Sequence, residues 1–100
     1  MTIDRDHVLQ TLRNRRDDIE RRYGLRMIGI VGSVARGEAG NASDIDVFVD
    51  IIRTPSLFEI SGAEGELEDD VGVGLPVQFV FREDIRPAMR ARMERDLIPL

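Results

Sequence analysis

Asp44-Ile45-Asp46 places two carboxylates one residue apart. In an extended segment the side chains of residues i and i+2 share a face, about 6 to 7 Å apart along the backbone, so both carboxylates can converge on one or two cations. Ten residues lie between this pair and Gly32-Ser33. A residue without a side chain lets backbone N–H groups come close to an anionic phosphate, and the Ser33 hydroxyl adds a donor. Two cations about 4 Å apart, bridged by a triphosphate, would neutralise the charge that develops when a nucleotidyl group moves to a hydroxyl. A glycine after a strand is usually only a turn, and a lone Asp-x-Asp is common on solvated strands. The weight lies in their combination and spacing. Arg36, between the two motifs, is the candidate for a further phosphate contact.

The elements that must hold these residues are legible as periodicities. Thr2 or Asp4 caps a first helix in which Val8, Leu12, Ile19 and Tyr23 recur at helical spacing, and Gly24 ends it. Leu25 to Val31 reads as a buried strand, followed by a polar, glycine-bearing connector from Gly32 to Ser43. Asp44 to Asp50 alternates, with Ile45, Val47 and Val49 on one face and the aspartates with Phe48 on the other. Thr54 before Pro55, or Ser56 three residues ahead of Glu59, starts a second long helix. Its Leu57, Ile60, Ala63, Leu67 and Val71 point to the core, and Gly72 and Gly74 close it. Leu75 to Phe81 forms a third strand with Gln78 and Val80 on the face opposite Val77, Phe79 and Phe81. A last helix, from about Asp84 to Arg95, turns Ile85, Met89 and Met93 inward. The order predicts an α+β fold: one domain over residues 1–100, with a small mixed sheet and helices packed on one face. Asp44, Asp46 and Gln78 then lie on the open face.

Composition narrows the chemistry further. One hundred residues, 42% hydrophobic, support one core. The 19 acidic residues against 14 basic ones, all arginine, give a net charge of −5, so general nucleic-acid binding is not expected. Without cysteine, a metal would be held by oxygen ligands, which favours magnesium, manganese or calcium. No signal-like or membrane-spanning apolar run is present, and the expected location is the cytoplasm.

The segments Gly32-Ser33-Val34-Ala35-Arg36-Gly37-Glu38 and Ser43-Asp44-Ile45-Asp46-Val47-Phe48-Val49 closely resemble the DNA polymerase beta-type nucleotidyltransferase superfamily. Within it the likeness is to the MNT-domain proteins, minimal nucleotidyltransferases often paired with HEPN-domain toxins. It covers most of the chain, including Pro76 to Phe81 and the ending Asp96-Leu97-Ile98-Pro99-Leu100. The resemblance implies the nucleotidyltransferase fold and a nucleoside triphosphate, with ATP the expected one, held by Gly32 and Ser33. It also implies Mg2+ or Mn2+ on Asp44 and Asp46, and transfer of a nucleotidyl group. The acceptor it implies is a tyrosine hydroxyl of a HEPN-type partner, silenced in a toxin–antitoxin system.

One position departs from the family. A third acidic residue is expected on the next long strand, in a pattern like Val-Asp-Leu-Val, where this chain reads Val77-Gln78-Phe79-Val80. An amide oxygen can still ligate a metal weakly but cannot accept a proton from an attacking hydroxyl. Loss of a general base commonly costs on the order of 100- to 10,000-fold in rate. Two readings are open: a nucleotidyltransferase in which Asp50, Glu83 or a partner residue supplies the base, or a catalytically weak member that binds nucleotide or toxin. A regulatory subunit completing another protein's site is a third. His7 reads as a surface residue, Glu64 to Asp70 as a solvated helix face, and Arg82, Arg86 and Arg90 as one side of the last helix.

Overall fold

The computed structural model describes residues 3–100, so the alternative cap Thr2 lies outside the described residues. Asp4 fills the role: its side chain accepts the His7 backbone N–H at 3.2 Å, and α1 runs Arg5–Tyr23 to a left-handed Gly24. Strand β1 (Leu25–Val31) is followed at once by a short helix α2 (Gly32–Arg36), so the first five residues of the expected connector are helical. The remaining loop is closed by Ser43, whose Oγ accepts the Gly40 N–H at 2.9 Å. Strand β2 (Ile45–Ile51) begins one residue later than expected, leaving Asp44 just ahead of it.

Helix α3 (Leu57–Val71) starts at Ser56, which forms a reciprocal capping box with Glu59. Leu57 is not inward: at the first helical position it is 81% exposed, whereas Ala63, Leu67 and Val71 are buried. Strand β3 (Val77–Phe81) leads through a 3-10 turn (Arg82–Asp84) into α4 (Pro87–Asp96). Pro87 sets that start, since its ring fixes φ and it has no N–H to leave unsatisfied. Arg82 therefore lies outside α4 and pairs with Asp50 rather than continuing an arginine row. A two-residue strand β4 (Ile98–Pro99), not anticipated from periodicity, completes the sheet.

The sheet order is β3-β2-β1-β4, with β1 antiparallel to β2 and β4, and β2 parallel to β3. Helices α1 and α3 cover one face over a core that includes Leu12, Ile19, Met27, Ile30, Val47 and Leu67. Each such fully buried side chain stabilises the fold by roughly 1.5–3 kcal/mol. Helix α4 instead crosses the edge of the opposite face against α2 and β1, and none of its residues is buried. Met89, expected to point inward, is 50% exposed.

A bulge in β1 decides which of its residues face the open side of the sheet. Pairing slips between Met27 and Gly29: Met27 faces Val49, but Gly29 faces Phe48 and Val31 faces Asp46. The extra residue reverses the parity of the strand, so Ile30 joins the core while Gly29 and Val31 turn to the face that bears Phe48 and Asp46.

The acidic run on α3 is solvated only in part: Asp69 and Asp70 are exposed, whereas Glu64, Glu66 and Glu68 are half-buried and bonded. Glu68 accepts the Val77 N–H at 2.9 Å and Glu64 the Phe79 N–H at 2.8 Å, closing the free edge of β3 with helix carboxylates. Glu66 ties α3 to Arg22, Tyr23 and Arg15 of α1, and the Arg22 contact foremost holds its carboxyl down at about 2.

Gly29 is the anchor of the C-terminal segment, because a Cβ there would collide with the Ile98 carbonyl oxygen. Gly29→Ala should therefore push β4 off the sheet at a cost of about 1–3 kcal/mol. Urea unfolding should show that loss, and the Leu100 amide, which donates to the Ile28 carbonyl at 3.0 Å, should exchange faster with solvent. Unchanged exchange at Leu100 would show that β4 does not depend on the missing side chain.

Candidate active site

Strand register brings the singled-out residues together. Asp46 on the central strand β2 pairs with Val31 on one side and Gln78 on the other, and Gly32 follows Val31 directly. Gln78 therefore occupies the position beside Asp46, exposed on the same face. Ile45 N–H donates to the Pro76 carbonyl at 2.8 Å, which pins the start of β2, and Asp44 with it, to the entry of β3.

Gly32 is required twice over. Its φ of +75° is one that side chains disfavour, and a Cβ built there would lie 2.5 Å from Oδ2 of Asp46. The Asp46 carboxylate is thus laid against the bare Cα at the β1–α2 turn. Ser33 opens α2 beside it, and its hydroxyl has no hydrogen-bond partner among the described residues.

Partnering sets these carboxylates apart. Among the described residues, the partly buried acids Asp18, Glu20, Asp50, Glu59, Glu64, Glu66, Glu68 and Asp96 each have an arginine or a backbone N–H. Asp44 and Asp46, equally part-buried, have neither. Burial, then the neighbouring charge of Asp44, push the Asp46 carboxyl up from its ordinary value, against an opposing pull from Arg36. The two carboxylates thus stand together with no ion pair or hydrogen bond of their own among the described residues. No group of three His, Cys, Asp or Glu side chains able to hold a metal occurs among the described residues.

Other candidates resolve differently. Arg36 does reach the site, but its guanidinium bonds Glu38 and Asp96, each at 3.0 Å. Asp50 is four residues along β2 from Asp46, about 13 Å at strand rise, and pairs with Arg82 at 3.5 Å. Glu83 follows β3 at that same far end, so neither reaches Asp46 to act as a base. His7 is exposed, its Nε2 2.8 Å from the Val71 carbonyl, a strut between α1 and α3.

The residues sequence reasoning missed come from α4. A cavity of about 190 Å³ is lined by Val31, Gly32, Arg36 and Asp46 on the sheet side and by Met89, Arg92, Met93 and Asp96 from α4. Methionines at helical spacing signal a packing face, but nothing in the pattern tells that the face meets the Asp46 side of the sheet.

The nucleotidyltransferase domain profile matches residues 12–99. The protein adenylyltransferase MntA of Thermococcus cleftensis is 33% identical over 81 residues, covering 81% of this chain and 80% of the relative. A proposed protein adenylyltransferase of Methanocaldococcus jannaschii is 33% identical over 88 residues, covering 87% of this chain and 88% of its own length. The solved structure of a proposed minimal nucleotidyltransferase superposes with a TM-score of 0.69 at 34% identity, covering 92% of this chain and 95% of that one.

If Asp44 and Asp46 seat the metal of a bound nucleotide, ATP with Mg2+ or Mn2+ should raise the melting temperature. Ligand at 100 times its dissociation constant adds about 2.7 kcal/mol to the native state. The double variant Asp44→Asn, Asp46→Asn should lose this shift, yet in chelator be no less stable than the parent, because the repulsion between the two charges is gone. An equal nucleotide shift in the variant would place the site elsewhere.

Proposed function

The chain belongs to the nucleotidyltransferase domain family, and from that premise we propose that it transfers an adenylyl group from ATP to a hydroxyl of a partner protein. The observation that carries this reading is the pair of partly buried, unpartnered carboxylates, one of them laid against Gly32. Its relatives' names, protein adenylyltransferases, support adenylyl as the group and protein as the acceptor. The net charge of −5 disfavours a nucleic-acid acceptor. A HEPN-domain toxin is the partner that the motif resemblance favours. Among the described residues no helix is long and apolar enough to cross a membrane.

Asp44 and Asp46 are the residues that would hold Mg2+ or Mn2+. When bound, the metal neutralises triphosphate charge and polarises the phosphoryl oxygens. Gly32 keeps the approach to the backbone clear, since any side chain there would displace the Asp46 carboxylate. The Ser33 hydroxyl is free to donate to a phosphate oxygen. In the transfer, the acceptor oxygen bonds to the α-phosphorus, the bond from that phosphorus to the pyrophosphate oxygen breaks, and the hydroxyl proton needs an acceptor. Gln78, beside Asp46, orients by hydrogen bonding but cannot take that proton. The acceptor is then a group of the partner or water, and transfer is slow without the partner.

Gln78 also favours a second reading, a binding module that holds nucleotide or toxin without turnover. Gln78→Asp separates the two. The side chain is exposed, so packing is not disturbed, and the added charge costs only repulsion that a bound cation relieves. Radiolabelled nucleotide transfer to the cognate partner should rise at least tenfold over the parent if the missing carboxylate limits the rate. Vigorous transfer by the parent with no gain would assign the base to the partner, and no transfer by either protein would favour the binding module.

A further inference from the structure

The cavity beneath α4 contains two arginines that differ in what they are free to do. Arg36 is committed to Glu38 and Asp96. Arg92, on the α4 wall, has no acidic or carbonyl partner among the described residues and is exposed. The cavity floor, Gly32 and Asp46, adjoins the uncompensated carboxylate pair. At about 190 Å³ the cavity is smaller than the roughly 300–1,000 Å³ of sites that enclose a whole ligand. It takes one part of a nucleotide, and the rest must lie outside. Met89, 50% exposed at the rim, offers the apolar surface on which a base can rest.

Taking the nucleotide site of the proposed function as its basis, we propose that Arg92 is the arginine that binds the triphosphate, and that Arg36 instead latches α4 to α2 through Asp96. Three features support this division. A triphosphate brought to Asp44 and Asp46 adds negative charge to a chain already at −5, and a cation without a carboxylate partner meets it at no loss of an existing ion pair. Arg36 already shares its charge with two carboxylates, Glu38 and Asp96. A guanidinium on α4 also reaches the phosphates from the side opposite the Gly32-Ser33 backbone, so the polyphosphate is held from both sides. Arg92 is a binding residue in this account and takes no part in proton transfer.

Calorimetric titrations of the full chain with ATP, AMP and inorganic tripolyphosphate, each with Mg2+, test the assignment. Arg92→Ala should weaken ATP and tripolyphosphate at least tenfold and leave AMP within twofold. Arg92→Lys, which keeps the charge but not the bidentate fork, should recover part of the loss. Arg36→Ala should weaken ATP less than Arg92→Ala does, while increasing hydrogen exchange across α4. Far-ultraviolet circular dichroism of each variant should match the parent, as expected for exposed side chains. Parent-like ATP affinity in Arg92→Ala, or an equal loss for AMP, would overturn the inference and leave the nucleotide site standing. Absence of ATP binding by the parent would overturn both.

Discussion

Two carboxylates held side by side without an ion-pair or hydrogen-bond partner among the described residues are the constraint around which this fold is arranged. Burial first, and then repulsion from Asp44, pushes the Asp46 carboxyl up from its ordinary value. The structure tolerates it because the backbone leaves the pair little freedom to separate. Asp46 is fixed between Val31 and Gln78 on the central strand, and Asp44 is tied down through the Ile45–Pro76 hydrogen bond. The stabilisation that offsets the repulsion sits on the other face, where α1 and α3 pack over the sheet. Everywhere else the part-buried acids among the described residues are paired, so the unpaired state at 44 and 46 is local rather than a property of an acidic chain.

Glycine has two separate roles in maintaining this arrangement. Gly32 gives the Asp46 carboxylate a bare Cα to lie against, and Gly29 lets β4 approach β1 closely enough to return the chain after α4. The bulge ahead of Gly29 turns Val31 to the site face, so that the turn into α2 starts where Asp46 stands. The site is thereby linked to the C-terminal residues: β4 returns the chain to β1 directly after α4, and the Arg36–Asp96 pair ties α4 to α2.

Much of this is legible in the sequence, for physical reasons. Alternation in Ile45 to Asp50 and in Val77 to Phe81 reports sheet faces directly, so Asp46 and Gln78 can be placed on one face before their register is known. Caps at Asp4, Gly24, Ser56 and Gly72 are local chemistry and read correctly. The bulge at Ile28, the β4 pairing and the course of α4 are not legible, because each depends on contacts between residues far apart in the chain. The acidic run on α3 misleads for the same reason: Glu64 and Glu68 look solvated until the edge of β3 is set beside them. Arg36 stands out in the sequence for its place near the glycine turn, but no local pattern reveals the competing carboxylate of Asp96, sixty positions away.

The central claim is that the cation of a bound nucleotide sits on Asp44 and Asp46. Paramagnetic broadening by Mn2+ falls steeply with distance and reads this directly. Substoichiometric Mn2+ and a non-hydrolysable ATP analogue, added to uniformly 15N-labelled protein, should broaden the amides of residues 32–34, 44–46 and 78 first. The amides of Asp50, Arg82 and the acidic run Glu64 to Asp70 should persist at the same ratio, the first two because they lie about 13 Å further along the strands. Broadening that starts in the acidic run, or spreads evenly over the acidic surface, would contradict the account.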